Sequence, residues 1–150
     1  MTETPLIKLV LFDVDGVLTD GTLHFDGNGE AVKSFNAKDG IAISLLRSHG
    51  IKVGVLSGRD SPALHRRCLE LKFDIVLAGV QDKEPVFQNL LERLNVRPEE
   101  VAFVGDDVND ILVLNSVGHS YAPSDAHQMV LSTVGHICDS KGGAKRPTGG

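Results

Sequence analysis

The chain has 150 residues, 41% of them hydrophobic and 23% charged, enough for one compact domain with its own core. A net charge of −5 speaks against nucleic acid as a partner, because nucleic-acid binding usually shows a basic face. No signal segment precedes the first apolar run, and none of the apolar runs approaches the roughly 20 residues a bilayer requires, so the chain reads as cytoplasmic with no membrane partner.

In chain order, Ile7 to Phe12 is apolar except at Lys8, as expected of a strand covered on both faces. It empties into Asp13-Val14-Asp15-Gly16-Val17-Leu18-Thr19. Thr22 to Phe25 and Ala31 to Phe35 flank Asp26-Gly27-Asn28-Gly29, a strong turn former, and predict a β-hairpin inserted after strand one. Asp39 to Ser48 carries Ile41, Leu45 and Leu46 at helical spacing. Val53 to Leu56 is the next strand and runs into Ser57-Gly58-Arg59. Ser61 and Pro62 read as an N-cap and first-turn proline, opening a helix through about Leu71.

Phe73 to Leu77 repeats the strand pattern, and Lys83 to Leu94 places Val86, Phe87, Leu90, Leu91 and Leu94 on one stripe. Val101 to Val104 is a strand that empties into Gly105-Asp106-Asp107-Val108-Asn109-Asp110. A helix over Asp107 to Ser116 has Gly118 close behind as a stop signal. His119 to Ala122 and His136 to Cys138 are weaker candidates to extend the sheet. Alternation of this kind means βαβ units, so the fold class is α/β, a doubly wound parallel sheet. Cys68 and Cys138 have no CxxC or paired His spacing, and read as two thiols in neither a disulfide nor a zinc site.

In such a sheet, ligands bind beyond the carboxyl ends of the strands, where these polar loops converge. Phosphoryl transfer fits them. Attack on a dianion needs its charge neutralised first, usually by Mg²⁺ on oxygen ligands. Asp13 and Asp106 supply carboxylates, and Asp15 a backbone carbonyl, as the expected metal ligands. Asp13 is the candidate nucleophile, forming an aspartyl-phosphate. Asp15 is the candidate acid and base, brought round by a turn that Gly16 permits. Ser57 and the Gly58 amide are candidate phosphate donors, with Lys83 as the cation where charge accumulates. Asp107 and Asp110 are expected to orient Lys83 and waters around the metal. The plainer readings are a capping serine for Ser57, a solvated lysine for Lys83 and a helix-face carboxylate for Asp110.

These residues, with Asp-Val-Asp-Gly-Val-Leu-Thr-Asp-Gly from Asp13 and Phe35-Asn36-Ala37-Lys38-Asp39-Gly40, resemble the four motifs of the haloacid dehalogenase superfamily, in order. The pattern is similar to its capless branch, which contains 3-deoxy-D-manno-octulosonate 8-phosphate phosphatase. The nonulosonate (sialic-acid-type) 9-phosphate phosphatases and the C-terminal domain of some sialic acid cytidylyltransferases belong to that branch too. The resemblance spans about Ile7 to Gly143. It implies a Rossmann-like fold without a cap domain, Mg²⁺, and a phosphorylated sugar acid as substrate. It also implies a homotetramer in which neighbouring hairpins and tails help cover each site. The alternatives are a nonulosonate 9-phosphate substrate or a non-catalytic assembly module. A phospho-receiver domain, also α/β, fits less well, since Ala78-Gly79-Val80 after strand three offers no phospho-acceptor.

Arg59 and Arg67 are candidates for the substrate carboxylate, with surface or interface ion pairs as the other reading. Lys33 and Lys38 are candidates to face a neighbouring site, and the six His read as structural or solvated. The expected division is a phosphatase domain over 1–140 and a Gly-rich basic tail over 141–150. The family continues from the Gly pair into Arg-Gly-Ala-Val-Arg and a helix. Here Gly142-Gly143 leads to Ala144-Lys145-Arg146-Pro147, and Pro147 disfavours a helix. That tail is expected near an active-site mouth, where Lys145 and Arg146 suit an anion.

Overall fold

Six short strands align in parallel, four of them apolar runs, and the two weaker candidates, His119 to Ala122 and His136 to Ile137, both join the sheet. The computed structural model describes residues 6–19, 24–26, 29–32, 39–139 and 141–142. Lys33, Lys38, Phe35 and residues 143–150, with Lys145 and Arg146, lie outside the described residues.

The elements are β1 (Leu9–Phe12), β2 (His24–Asp26), β3 (Gly29–Val32), α1 (Asp39–Ser48), β4 (Lys52–Leu56), α2 (Pro62–Leu71) and β5 (Ile75–Leu77). They continue with α3 (Lys83–Leu94), β6 (Val101–Val104), α4 (Ile111–Ser116), β7 (His119–Ala122), α5 (Gln128–Leu131) and β8 (His136–Ile137). The sheet order is β5-β4-β1-β6-β7-β8, all parallel. β2 and β3 pair antiparallel as the hairpin, with Asp26 opposite Gly29. The chain starts at the centre, winds to the β5 edge, then crosses back through β6. The strand order therefore reverses between β1 and β6, and the crevice belongs there.

Strand alternation sends side chains to two apolar layers. Leu9 and Leu11 join Leu56, Phe87, Leu90 and Phe103 in one cluster. Val55, Leu64 and Cys68 pack with Val14 and Leu18 in the other, with Phe12 against them. The Cys68 thiol is buried there, which pushes its pKa up to about 11 and suits an inert core residue.

Most boundaries follow the sequence reading, including the Ser61 cap, whose hydroxyl accepts the Leu64 N–H at 3.2 Å. Three details differ. In α1, Leu45 is 60% exposed, Leu46 is half-buried, and the buried residue is Ile43, which the helical spacing had not singled out. The helix predicted over Asp107 to Ser116 is a tight turn at Val108–Asp110 followed by α4. Its first turn is wound around the Asp110 carboxylate, which accepts the Asp107 N–H at 3.3 Å. α5 went unpredicted; His127 caps it, its Nδ1 accepting the Met129 N–H at 3.1 Å.

Candidate active site between β1 and β6

The sheet ladders run directly into the polar loops. The Asp13 N–H bonds the Val104 carbonyl at 2.9 Å, the Gly105 N–H the Tyr121 carbonyl at 3.1 Å, and the Ser57 N–H the Leu77 carbonyl at 2.8 Å. Residues at three strand ends are thereby fixed by the same hydrogen bonds that build the sheet. A polar cavity of about 440 Å³ opens above them, lined by Asp13, Asp15, Gly58, Arg59, Asp106 and Asp107, with Gln81 and Asn109 beside them.

Below the cavity floor Lys83 is held between two carboxylates. Its Nζ stands 3.1 Å from Asp13 Oδ1 and 2.7 Å from Asp110 Oδ1, with the lysine side chain fully buried. The first turn of a helix disfavours a cation, so the two carboxylates must compensate both the dipole and the loss of water. Burial alone would push the Lys83 ammonium down. Asp13 and Asp110 outweigh it and hold its pKa above the ordinary value. The solvated-lysine reading of Lys83 is thus corrected.

Asp110 is equally committed. Its Oδ2 accepts the N–H groups of Asp106 at 3.1 Å and Asp107 at 3.3 Å while Oδ1 takes Lys83. Asp13, Asp106 and Asp110 lie within 4.8 Å of one another, a spacing that suits a metal ion. With both Asp110 oxygens occupied, that residue braces the loop and Lys83, which leaves Asp13 and Asp106 as the carboxylates that could hold an ion.

Asp106 fits a cation best. Its Oδ1 is buried with no hydrogen-bond partner among the described residues, and an orphaned carboxylate oxygen is costly. Burial pushes Asp13 and Asp106 up to about 6 each, and Asp110 up to about 7. Two buried carboxylates and the half-buried one of Asp106 surround one ammonium, so the centre is short of positive charge, and a divalent ion would supply it.

Gly16 makes the arrangement compact. Its φ of +86° is the left-handed region, and a Cβ there would collide with the Asp106 carboxylate. This turn, closed by the Thr19 N–H on the Val14 carbonyl at 3.1 Å, leaves Asp15 lining the cavity two residues after Asp13.

Other candidates sit less simply. Ser57 is buried, its hydroxyl donating to the Arg59 carbonyl at 3.0 Å, so it must rotate to meet a phosphate. Arg59 lines the cavity. Arg67 is not among the lining residues and pairs with Glu70 at 3.3 Å. Asp107 lines the rim while its Oδ1 caps Val108 at 2.7 Å. Gln81 and Asn109 went unassigned from the sequence. Asn109 lay inside the quoted Asp-rich loop, and its spacing from Asp106 was the available signal.

Residues 36–118 match the haloacid dehalogenase-like hydrolase family. The chain is 44% identical over 137 residues to the 3-deoxy-D-manno-octulosonate 8-phosphate phosphatase of Haemophilus influenzae, covering 91% of this chain and 76% of that protein. It superposes on the cobalt-bound form of the deoxy-D-mannose-octulosonate 8-phosphate phosphatase from the same organism with a TM-score of 0.88, covering 91% of this chain and 80% of that one. The Moraxella catarrhalis enzyme, in complex with magnesium ion, phosphate ion and the sugar acid, matches with a TM-score of 0.88 at 28% identity. That match covers 91% of this chain and 79% of the other.

Proposed function

The chain belongs to the haloacid dehalogenase-like hydrolases, in the 3-deoxy-D-manno-octulosonate 8-phosphate phosphatase family, and we propose that it hydrolyses that sugar-acid phosphate through an aspartyl-phosphate on Asp13. The observation that carries the reading is the meeting, at one cavity floor, of the Lys83-held Asp13 with an Asp106 oxygen that has no hydrogen-bond partner among the described residues.

Asp13 and Asp106 would hold Mg²⁺, with Asp15 offering its carbonyl. When bound, the ion neutralises charge so that an anionic nucleophile can approach an anionic phosphate. Asp13 attacks phosphorus as the P–O ester bond breaks toward the sugar, and Asp15 gives the leaving oxygen its proton. Asp15 then takes a proton from the water that cleaves the aspartyl-phosphate, returning Asp13 as a carboxylate. Lys83 keeps Asp13 ionised and aimed, and Asp110 keeps Lys83 in place. The Gly58 amide and a rotated Ser57 hydroxyl serve as phosphate donors. Arg59, which lines the cavity, would take the substrate carboxylate.

No helix among the described residues is long and apolar enough to cross a membrane. Leu45 and Leu69 are 60% and 80% exposed, which favours burial against further copies in a homotetramer. Light scattering at micromolar concentration tests the assembly, and a monomer would refute it.

A panel comparing 3-deoxy-D-manno-octulosonate 8-phosphate with a nonulosonate 9-phosphate and ordinary hexose phosphates tests the substrate. The expected result is the highest kcat/KM for the first. Preference for a hexose phosphate would overturn the assignment.

A further inference from the structure

We propose that Asp125 is a positioning residue for the Asp13–Asp106 centre, acting through Gly142 on the Gly16 turn. Asp125 stands in the loop between β7 and α5, outside the cavity lining. Its Oδ1 accepts the Gly142 N–H at 2.9 Å. Gly142 is buried, and a Cβ on it would collide with the Gly16 carbonyl oxygen and stand 3.1 Å from that of Thr19. The Gly142 backbone therefore lies flat on the turn that carries Asp15.

Gly16 is thus clamped from two sides, by Gly142 on one and the Asp106 carboxylate on the other. The Asp125 loop also holds the second side, since the His127 N–H donates to the Asp106 carbonyl at 2.9 Å. One surface loop fixes both jaws. Without the Asp125 hydrogen bond, Gly142 can leave the turn, Gly16 can back away from Asp106, and the spacing between Asp15 and the Asp13–Asp106 pair loosens. A glycine at 142 is required because any side chain would push against backbone rather than a flexible neighbour.

The inference rests on the metal centre proposed above, and Mn²⁺ alone, titrated calorimetrically into the full chain, separates the two. Asp125→Ala should raise the Mn²⁺ dissociation constant on the order of tenfold, as outer-shell losses do, and lower kcat comparably with KM little changed. Asp125→Asn keeps a carbonyl acceptor and should restore both. Gly142→Ala should match Asp125→Ala, and the double variant should be no worse than either single one, because both break the same contact. Wild-type-like Mn²⁺ binding in Asp125→Ala overturns the inference. So does an Asp125→Asn as impaired as Asp125→Ala, which would point to charge or general stability, and so do additive losses in the double variant. A wild-type chain that takes up no Mn²⁺ would instead overturn the metal centre, and this inference with it.

Discussion

Replacing Lys83 by methionine removes the ammonium from between the buried carboxylates of Asp13 and Asp110 while roughly keeping its volume. At an effective dielectric constant of about 20, contacts of 2.7 and 3.1 Å correspond to about 6 and about 5 kcal/mol of gross attraction. Most of that offsets the cost of burying the ammonium. Breaking a buried pair from one side nets about 3–5 kcal/mol. For a chain of this size each kcal/mol moves the melting temperature by about 2–4 °C, so metal-free Lys83→Met should melt about 10 °C lower at pH 8. The sign with pH follows from the carboxylates. Asp13 and Asp110 already titrate at about 6 and about 7, above ordinary values, and losing Lys83 drives them higher. By pH 5 both are neutral in the folded variant, no unpaired charge remains, and the deficit should shrink or vanish. Scanning calorimetry in chelator at pH 5 and pH 8 measures this. An equal deficit at both values, or none at pH 8, would refute the buried triad as drawn. Turnover should fall roughly 10²–10³-fold, the cost of losing one preorganised cationic donor.

Gly16→Ala places a side chain against the Asp106 carboxylate at a left-handed φ, and should weaken Mg²⁺ activation on the order of 10- to 100-fold. An unchanged Mg²⁺ dependence would contradict the close approach. Metal-free protein should lose stability as pH rises from about 4 to about 7, because Asp13 and Asp106 are raised to about 6 and favour the folded state only while protonated. Each shift corresponds to about 3 kcal/mol. The melting-temperature gain from Mg²⁺ should therefore grow across that window, and a flat gain would count against the pair as ligands. Asp15→Asn should accumulate phospho-enzyme, seen by acid quench, since water activation fails after transfer; no accumulation with full turnover would remove Asp15 from the role.

The sheet was legible because a parallel strand covered on both faces must be a short apolar run, and Val101 to Val104 can hardly be anything else. The floor of the site was legible for the same reason, since Asp13 and Asp106 are the first polar residues past β1 and β6. That Asp110 meets Lys83, 27 residues away, was expected too; that the two side chains would be fully buried together was not, because burial depends on packing between distant segments. On α1, spacing alone picked out Leu45, which is exposed, and not Ile43, which is buried, because an apolar period does not say which side meets the sheet. The Gly142 contact was invisible too, since hydrophobic pattern says nothing about where a glycine docks.

The central claim is that the phosphoryl group passes through Asp13. Rapid acid quench of the wild type and Asp15→Asn with labelled substrate, followed by mass spectrometry of the peptides, locates the phosphate. The expected result is an acid-stable, base-labile phosphate on Asp13, absent from Asp13→Asn, which should also lack turnover. Label on another residue, or substantial steady-state activity in Asp13→Asn, would contradict it.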